Sequence, residues 1–143
     1  MSDLETSRPA IEDRVEYNLN LAGATMGLRP SYEAIDAIEK TLGRGVIDLA
    51  QTAIAAKLSM GDTAQIVCEC VRAWGREVQD KGAEGANAVR IGQLIYDAPG
   101  GCYAVQKTVA GMLSLVVTGG YTSAGELKPA TTTKTTENPL VDG

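Results

Sequence analysis

From Val15 the chain alternates strictly, with Val15, Tyr17, Leu19 and Leu21 apolar against Glu16, Asn18 and Asn20. Successive side chains of a strand point to opposite faces, so this pattern predicts a half-buried strand. Ala22-Gly23 offers a tight reversal, after which Ala24, Met26 and Leu28 alternate with Thr25, Gly27 and Arg29. Together they predict a β-hairpin, which needs its apolar face covered to be stable in water. Pro30 closes it, because proline has no amide proton for a ladder and pushes Arg29 toward extended geometry.

Beyond Pro30 the period becomes helical. Ser31 is placed to cap a first helix, Glu33 sits where the helix dipole favours negative charge, and Gly43 can end it in a left-handed conformation. Tyr32, Ile35, Ile38 and Leu42 form its apolar stripe. Val46 to Lys57 predicts a second, alanine-rich helix with Val46, Leu49, Ala50, Ala53 and Ile54 on one side. Ser59, with Asp62 three residues on, resembles a capping box. The helix it would open, Met60 to Val78, carries a heptad-like seam of Met60, Ala64, Val67, Val71, Trp74 and Val78. That seam fits the central helix of a bundle or part of an oligomer contact.

Gln79 to Gly85 is a polar break, followed by a short helix from Asn87 to Asp97 with Val89, Ile91, Leu94 and Ile95 apolar. Pro99-Gly100-Gly101 interrupts it, and a last helix runs from about Cys102 to Thr118 with Cys102, Val105, Val109, Met112 and Val116 on one face. At its end Met112, Leu113, Leu115, Val116 and Val117 surround a single Ser114. Such an all-round apolar end is either buried on several sides or meets a partner, and its β-branched run also suits a short strand. These five residues are the candidate partner or self-association surface. The fold class expected is α+β: an N-terminal hairpin packed on a mainly helical domain of about five helices. Its boundaries are a flexible arm over 1–13, the hairpin and helices over 14–118, and a Thr-rich disordered tail over 119–143.

Composition narrows the function more than the fold. The 143 residues suffice for one domain with a real core, and with no Phe and a single Trp that core must be aliphatic. A net charge of −5 with scattered basic residues argues against binding nucleic acid or an anionic membrane. The three cysteines, without a secretory apolar region, suit a reducing cytosol. The longest apolar run, Met112 to Val117, is too short to span a bilayer.

The chemistry of catalysis is largely missing. There is no histidine, the commonest general base and metal ligand. Cys68 and Cys70, two apart on a helix, diverge too far to share a metal, and read as small core hydrophobes. Asp36 and Glu39 lie on a polar helix face as solvated charges, and no glycine cluster matches a phosphate loop. A helix-turn-helix around Ser59 would present Thr63, Gln65, Glu69, Arg72, Arg76 and Glu77, a mixed face that phosphates would not favour. No catalytic, cofactor-binding or metal residues are therefore assigned, and a non-enzyme is expected.

The segment Leu28-Arg29-Pro30-Ser31-Tyr32-Glu33-Ala34-Ile35, with Ile38-Glu39, the Gly43-Arg44-Gly45 link and the helix after Leu58-Ser59, resembles the tail assembly protein family of gene transfer agents and tailed phages over about residues 15–118. Members are described sometimes as tail tube proteins and more often as tail assembly chaperones. The resemblance implies a non-enzymatic chaperone that coats the tape measure protein, a long and partly hydrophobic helical chain, until tube subunits polymerise around it. It further implies no cofactor, homo-oligomerisation, the tail tube protein as an additional partner, action in the host cytoplasm, and absence from the mature particle. The alternative is a structural tail component, a tube or terminator subunit; a small DNA-binding regulator is the more distant one.

Overall fold

The computed structural model of the chain describes residues 16–129; the expected N-terminal arm and the tail from residue 130 lie outside the described residues. By contact, residues 17–126 form one unit and the two chain ends another, of which only Glu16 and residues 127–129 are described. The first unit holds all of the strands and helices below.

Strands β1 (Asn18–Leu21) and β2 (Ala24–Gly27) pair antiparallel, with Leu19 opposite Met26 and Leu21 opposite Ala24. The Leu28 amide donates to the Tyr17 carbonyl at 3.0 Å and extends the ladder by one pair. Ala22 and Gly23 both take positive φ, 55° and 78°, the geometry whose twist matches a two-residue hairpin. As the alternation predicts, Leu19 and Leu21 are buried while Asn18 and Asn20 face water. The strand is shorter than the pattern that begins at Val15, which itself lies outside the described residues.

Six helices follow, one more than expected. Helix α1 (Tyr32–Leu42) has the predicted ends: the Ser31 hydroxyl accepts from the Ala34 amide, and Gly43, at φ 66°, donates its amide to the Glu39 carbonyl. Its buried face is Ala34, Ile35 and Ile38; Tyr32, placed in the stripe by spacing, stands at the first turn and is exposed.

Helix α2 (Val46–Ile54) buries Leu49, Ala50 and Ala53 but stops before the expected Lys57. Ala56 turns left-handed, so the Lys57 amide reaches the Thr52 carbonyl and the Ala56 amide the Ala53 carbonyl. That pair of bonds is a Schellman end, made without the usual glycine, and it leaves Ile54 exposed.

Helix α3 (Met60–Val78) matches its predicted span. Ser59 accepts from the Asp62 amide, but the Asp62 carboxylate binds Arg44 instead of returning to the cap, so only half of the capping box forms. Burial extends beyond the seam to Thr63, Ile66, Cys68, Cys70, Ala73 and Gly75, as befits a helix packed against α1, β2 and the last three helices. These are α4 (Lys81–Glu84), α5 (Ala88–Asp97) and α6 (Gly101–Val117).

The short α4 occupies the stretch expected to be a break: Asp80 caps it through the Ala83 amide, and it packs where Gly75 leaves no Cβ in the way. Helix α6 lies along α2 and also meets α3 and α5. Among the described residues no helix is long and apolar enough to cross a membrane.

Candidate functional site

Several of the polar side chains that could do chemistry instead hold helix ends or pair with one another. Glu39 accepts from the Val46 amide at 2.8 Å and so caps α2, whose own cap residue, Gly45, has no side chain to do it. Asp36 pairs with Lys40 one turn on, at 2.8 Å. Arg44 joins three groups around the α1–α2 link: Asp48 at 2.9 Å, Asp62 at 3.1 Å and the Thr52 hydroxyl at 2.6 Å. The hydrogen bond from Arg44 holds the Asp48 carboxyl below its ordinary value.

Cys70 is fully buried, and loss of water drives its thiol far above the usual range; Cys68 is shifted the same way for the same reason. Cys68 lies against the Ala86 carbonyl and Cys102 against Thr63 and Gln106, so the structure does not bring the cysteines together. Among the described residues no group of three or more His, Cys, Asp or Glu could hold a metal ion.

The candidate surface at the end of α6 is divided. Met112 and Leu113 are fully buried, on a helix that packs against α2, α3 and α5. Gly119, left-handed at φ 82°, closes α6 with a second Schellman turn in which the Gly120 amide meets the Leu115 carbonyl at 2.7 Å. Gly120 thereby lies on Leu115, which is half-buried like Val116, and Val117 alone reaches 36% exposure. So the segment offers outward Val117 and the edges of Leu115 and Val116. The chain then returns to α1: the Tyr32 amide donates to the Ser123 carbonyl, and Arg29 to the Ala124 carbonyl.

More apolar surface lies elsewhere. Ile47 and Ile54 on α2, and Val89 and Tyr96 on α5, are exposed pairs seven residues apart, each pair on one face of its helix. Tyr103 at the start of α6 is exposed too, with the Lys107 ammonium 5.0 Å from its ring centre. A groove of about 290 Å³ runs beside the unpaired edge of β2, walled by α4 and α5 and floored by Val71, Ala83 and Ile91. Spacing placed Ile54 on the apolar side of its helix and Val89 among the apolar residues of its own, and gave Ile47, Tyr96 and Tyr103 no role. Ile54 shares the angle of the buried Ala50 and is exposed because it is the last residue of its helix, whereas Val89 stands about half a turn from the buried Ile91.

A protein-family model described as phage tail tube protein, GTA-gp10, matches residues 14–118, which takes in every strand and helix described above. No curated protein matches the chain, and no solved structure does.

Proposed function

Because the chain belongs to the phage tail tube protein family, GTA-gp10, we propose that it is a non-enzymatic structural component of a phage-type tail, working through contacts with other tail proteins. The observation carrying this proposal is the family match across the whole hairpin-and-helix unit. It agrees with a chain that has no histidine, commits Glu39 to a helix cap and Asp36 to an ion pair, and exposes apolar side chains on α1, α2, α3, α5 and α6. The test is quantitative mass spectrometry of purified particles. A tube or terminator subunit appears there in fixed, ring-like proportion to the other tail proteins; absence from the particles removes the structural role.

One observation favours a second role. The described sheet is a hairpin of two four-residue strands, little main chain with which to close a ring wall by strand pairing between subunits. A tail assembly chaperone needs no such wall. It would capture amphipathic segments of the tape measure protein in grooves between helices, many weak contacts along one client adding up by avidity. It would act in the host cytoplasm and leave before the particle is complete. Co-expression separates the two roles: a chaperone keeps the tape measure protein soluble and co-purifies with it, whereas a purely structural subunit leaves its solubility unchanged.

A further inference from the structure

Val89 and Tyr96 stand on one face of α5, 73% and 76% exposed, about 10 Å apart along the helix at 1.5 Å per residue. Beside Val89 the surface is hollow. A groove of about 330 Å³ opens there between the first turns of α3 and α5, its walls including Met60, Gly61, Ala64, Ala88 and Gly92. The walls are shallow because most of these residues are small; a Cβ on Gly92 would already sit 3.4 Å from that of Ala64. One helix face thus carries a projecting aromatic ring near one end and an apolar hollow near the other.

Such a face is complementary to itself. If two α5 helices cross antiparallel about a two-fold axis, Tyr96 of each copy comes level with Val89 of the other, at the mouth of that copy's groove. The charges agree with this crossing independently. Arg90 and Asp97 each follow one of the two apolar residues by one position, so they share a flank of the stripe, and both line the hollow beside the hairpin turn. A two-fold lying in the interface reverses helix direction but keeps that flank on the same side. Each Arg90 therefore faces the second copy's Asp97. Parallel pairing would put the flanks on opposite sides and leave both charges unmatched. Neither residue has an ion-pair partner among the described residues.

We propose that α5 is the contact of a two-fold homodimer, with Tyr96 of each copy seated in the α3–α5 groove of the other and Arg90 paired with Asp97 across it. The occupant is a second copy of this chain rather than a different protein, because knob and hollow, and cation and anion, lie on one face at one matching separation. Tyrosine and arginine are also the residues that most often anchor interfaces. The pairing closes at two copies and does not depend on what the protein does in a tail.

Sedimentation equilibrium of the full chain tests it. The parent protein is expected to dimerise, and Tyr96→Ser to weaken the dimer by about tenfold or more. Arg90→Asp should weaken it as well, and adding Asp97→Arg to that variant should restore it. These side chains are exposed, so thermal melts of the variants should coincide with the parent when all are monomeric. Gln93→Cys, at the centre of the crossing, should form an intermolecular disulfide on oxidation, whereas Gln51→Cys on α2 should not. A parent that stays monomeric at the highest concentration examined overturns the proposal. So does a dimer indifferent to Tyr96→Ser, an Arg90→Asp defect that Asp97→Arg does not repair, or a Tyr96→Ser effect confined to binding another tail protein.

Discussion

Gln106 is only 5% exposed in the middle of α6, and its side chain ties that helix to the α2–α3 link. Its Oε1 accepts from the Leu58 amide at 2.7 Å, across 48 positions of sequence. Its Nε2 lies 3.5 Å from the Cys102 sulfur, which in turn is 3.8 Å from the buried Thr63 hydroxyl; that hydroxyl donates to the Ser59 carbonyl at 2.8 Å. Substituting Gln106→Leu nearly conserves volume but removes the acceptor. The Leu58 amide cannot be removed with it, so a buried N–H is left without a partner, at a cost of about 1–3 kcal/mol. Relief from burying an amide offsets some of this. A net loss of about 1–2 kcal/mol is expected, lowering Tm by roughly 4–8 °C in a unit of this size.

Gln106→Glu sharpens the test. It keeps an acceptor oxygen but places a carboxyl where burial favours the neutral form and raises its pKa above the unfolded value of about 4.3. The unfolded state then ionises first as pH rises, so stability falls from the unfolded pKa upward until the folded carboxyl ionises too. This variant should lie close to the parent near pH 4 and well below it near pH 8, while the deficit of Gln106→Leu stays flat with pH. Urea unfolding at both pH values gives each midpoint and slope. A Leu variant as stable as the parent, with an unchanged slope, would refute the claim that the Leu58 amide depends on this one acceptor.

Ala56→Gly should stabilise the protein by about 0.5–1 kcal/mol in urea unfolding, because Ala56 is exposed and sits at φ 59°, a region a Cβ disfavours. Gly75→Ala should destabilise by at least about 1–3 kcal/mol in the same assay: the added Cβ would fall on the backbone of Ala83 and Glu84, and backbone cannot step aside as a flexible side chain could. The Asp48 carboxyl is held below the ordinary aspartate value of about 3.9, chiefly by the Arg44 hydrogen bond. Its contribution is therefore present above that value and lost as pH falls through the folded pKa, and Asp48→Asn should make Tm less dependent on pH in that acid range. Cys70, whose thiol is kept protonated by burial, should resist iodoacetamide at pH 8 in the native protein and react once the protein is unfolded.

The parts of the fold that could be read in the sequence are those fixed by local chemistry. Ser31, Gly43 and Ser59 act within one turn of their own position, and Leu19 and Leu21 face inward because a strand allows only two directions. What the sequence concealed was decided by distant neighbours. Gly82 and Gly85 argue for a break, yet α4 forms because the bare backbone of Gly75 lets Ala83 pack close. The end of α2 carries no glycine to announce it, since Ala56 takes the left-handed position. Tyr32, Ile54 and Val78 have the right helical angle for burial but stand in terminal turns, beyond the reach of the packing partner.

The same logic governs the surface. An all-round apolar segment cannot tell how many of its sides will be covered, and at Met112 and Leu113 the rest of the fold covers them all. Where contact surface remains is better judged from the aromatics. The chain has no Phe and one Trp, so its large side chains are scarce, yet Tyr32, Tyr96 and Tyr103, three of its five tyrosines, lie mostly in solvent. Leucine, isoleucine, valine and alanine fill the core, with cysteine and methionine between them. Rings left outside by a core that did not need them are the side chains a protein partner would bury at least entropic cost, having only two torsions each to fix. Contact should therefore centre on the α5 face at Tyr96, where a ring, a hollow and two opposite charges coincide, more than on the end of α6, where a single valine protrudes.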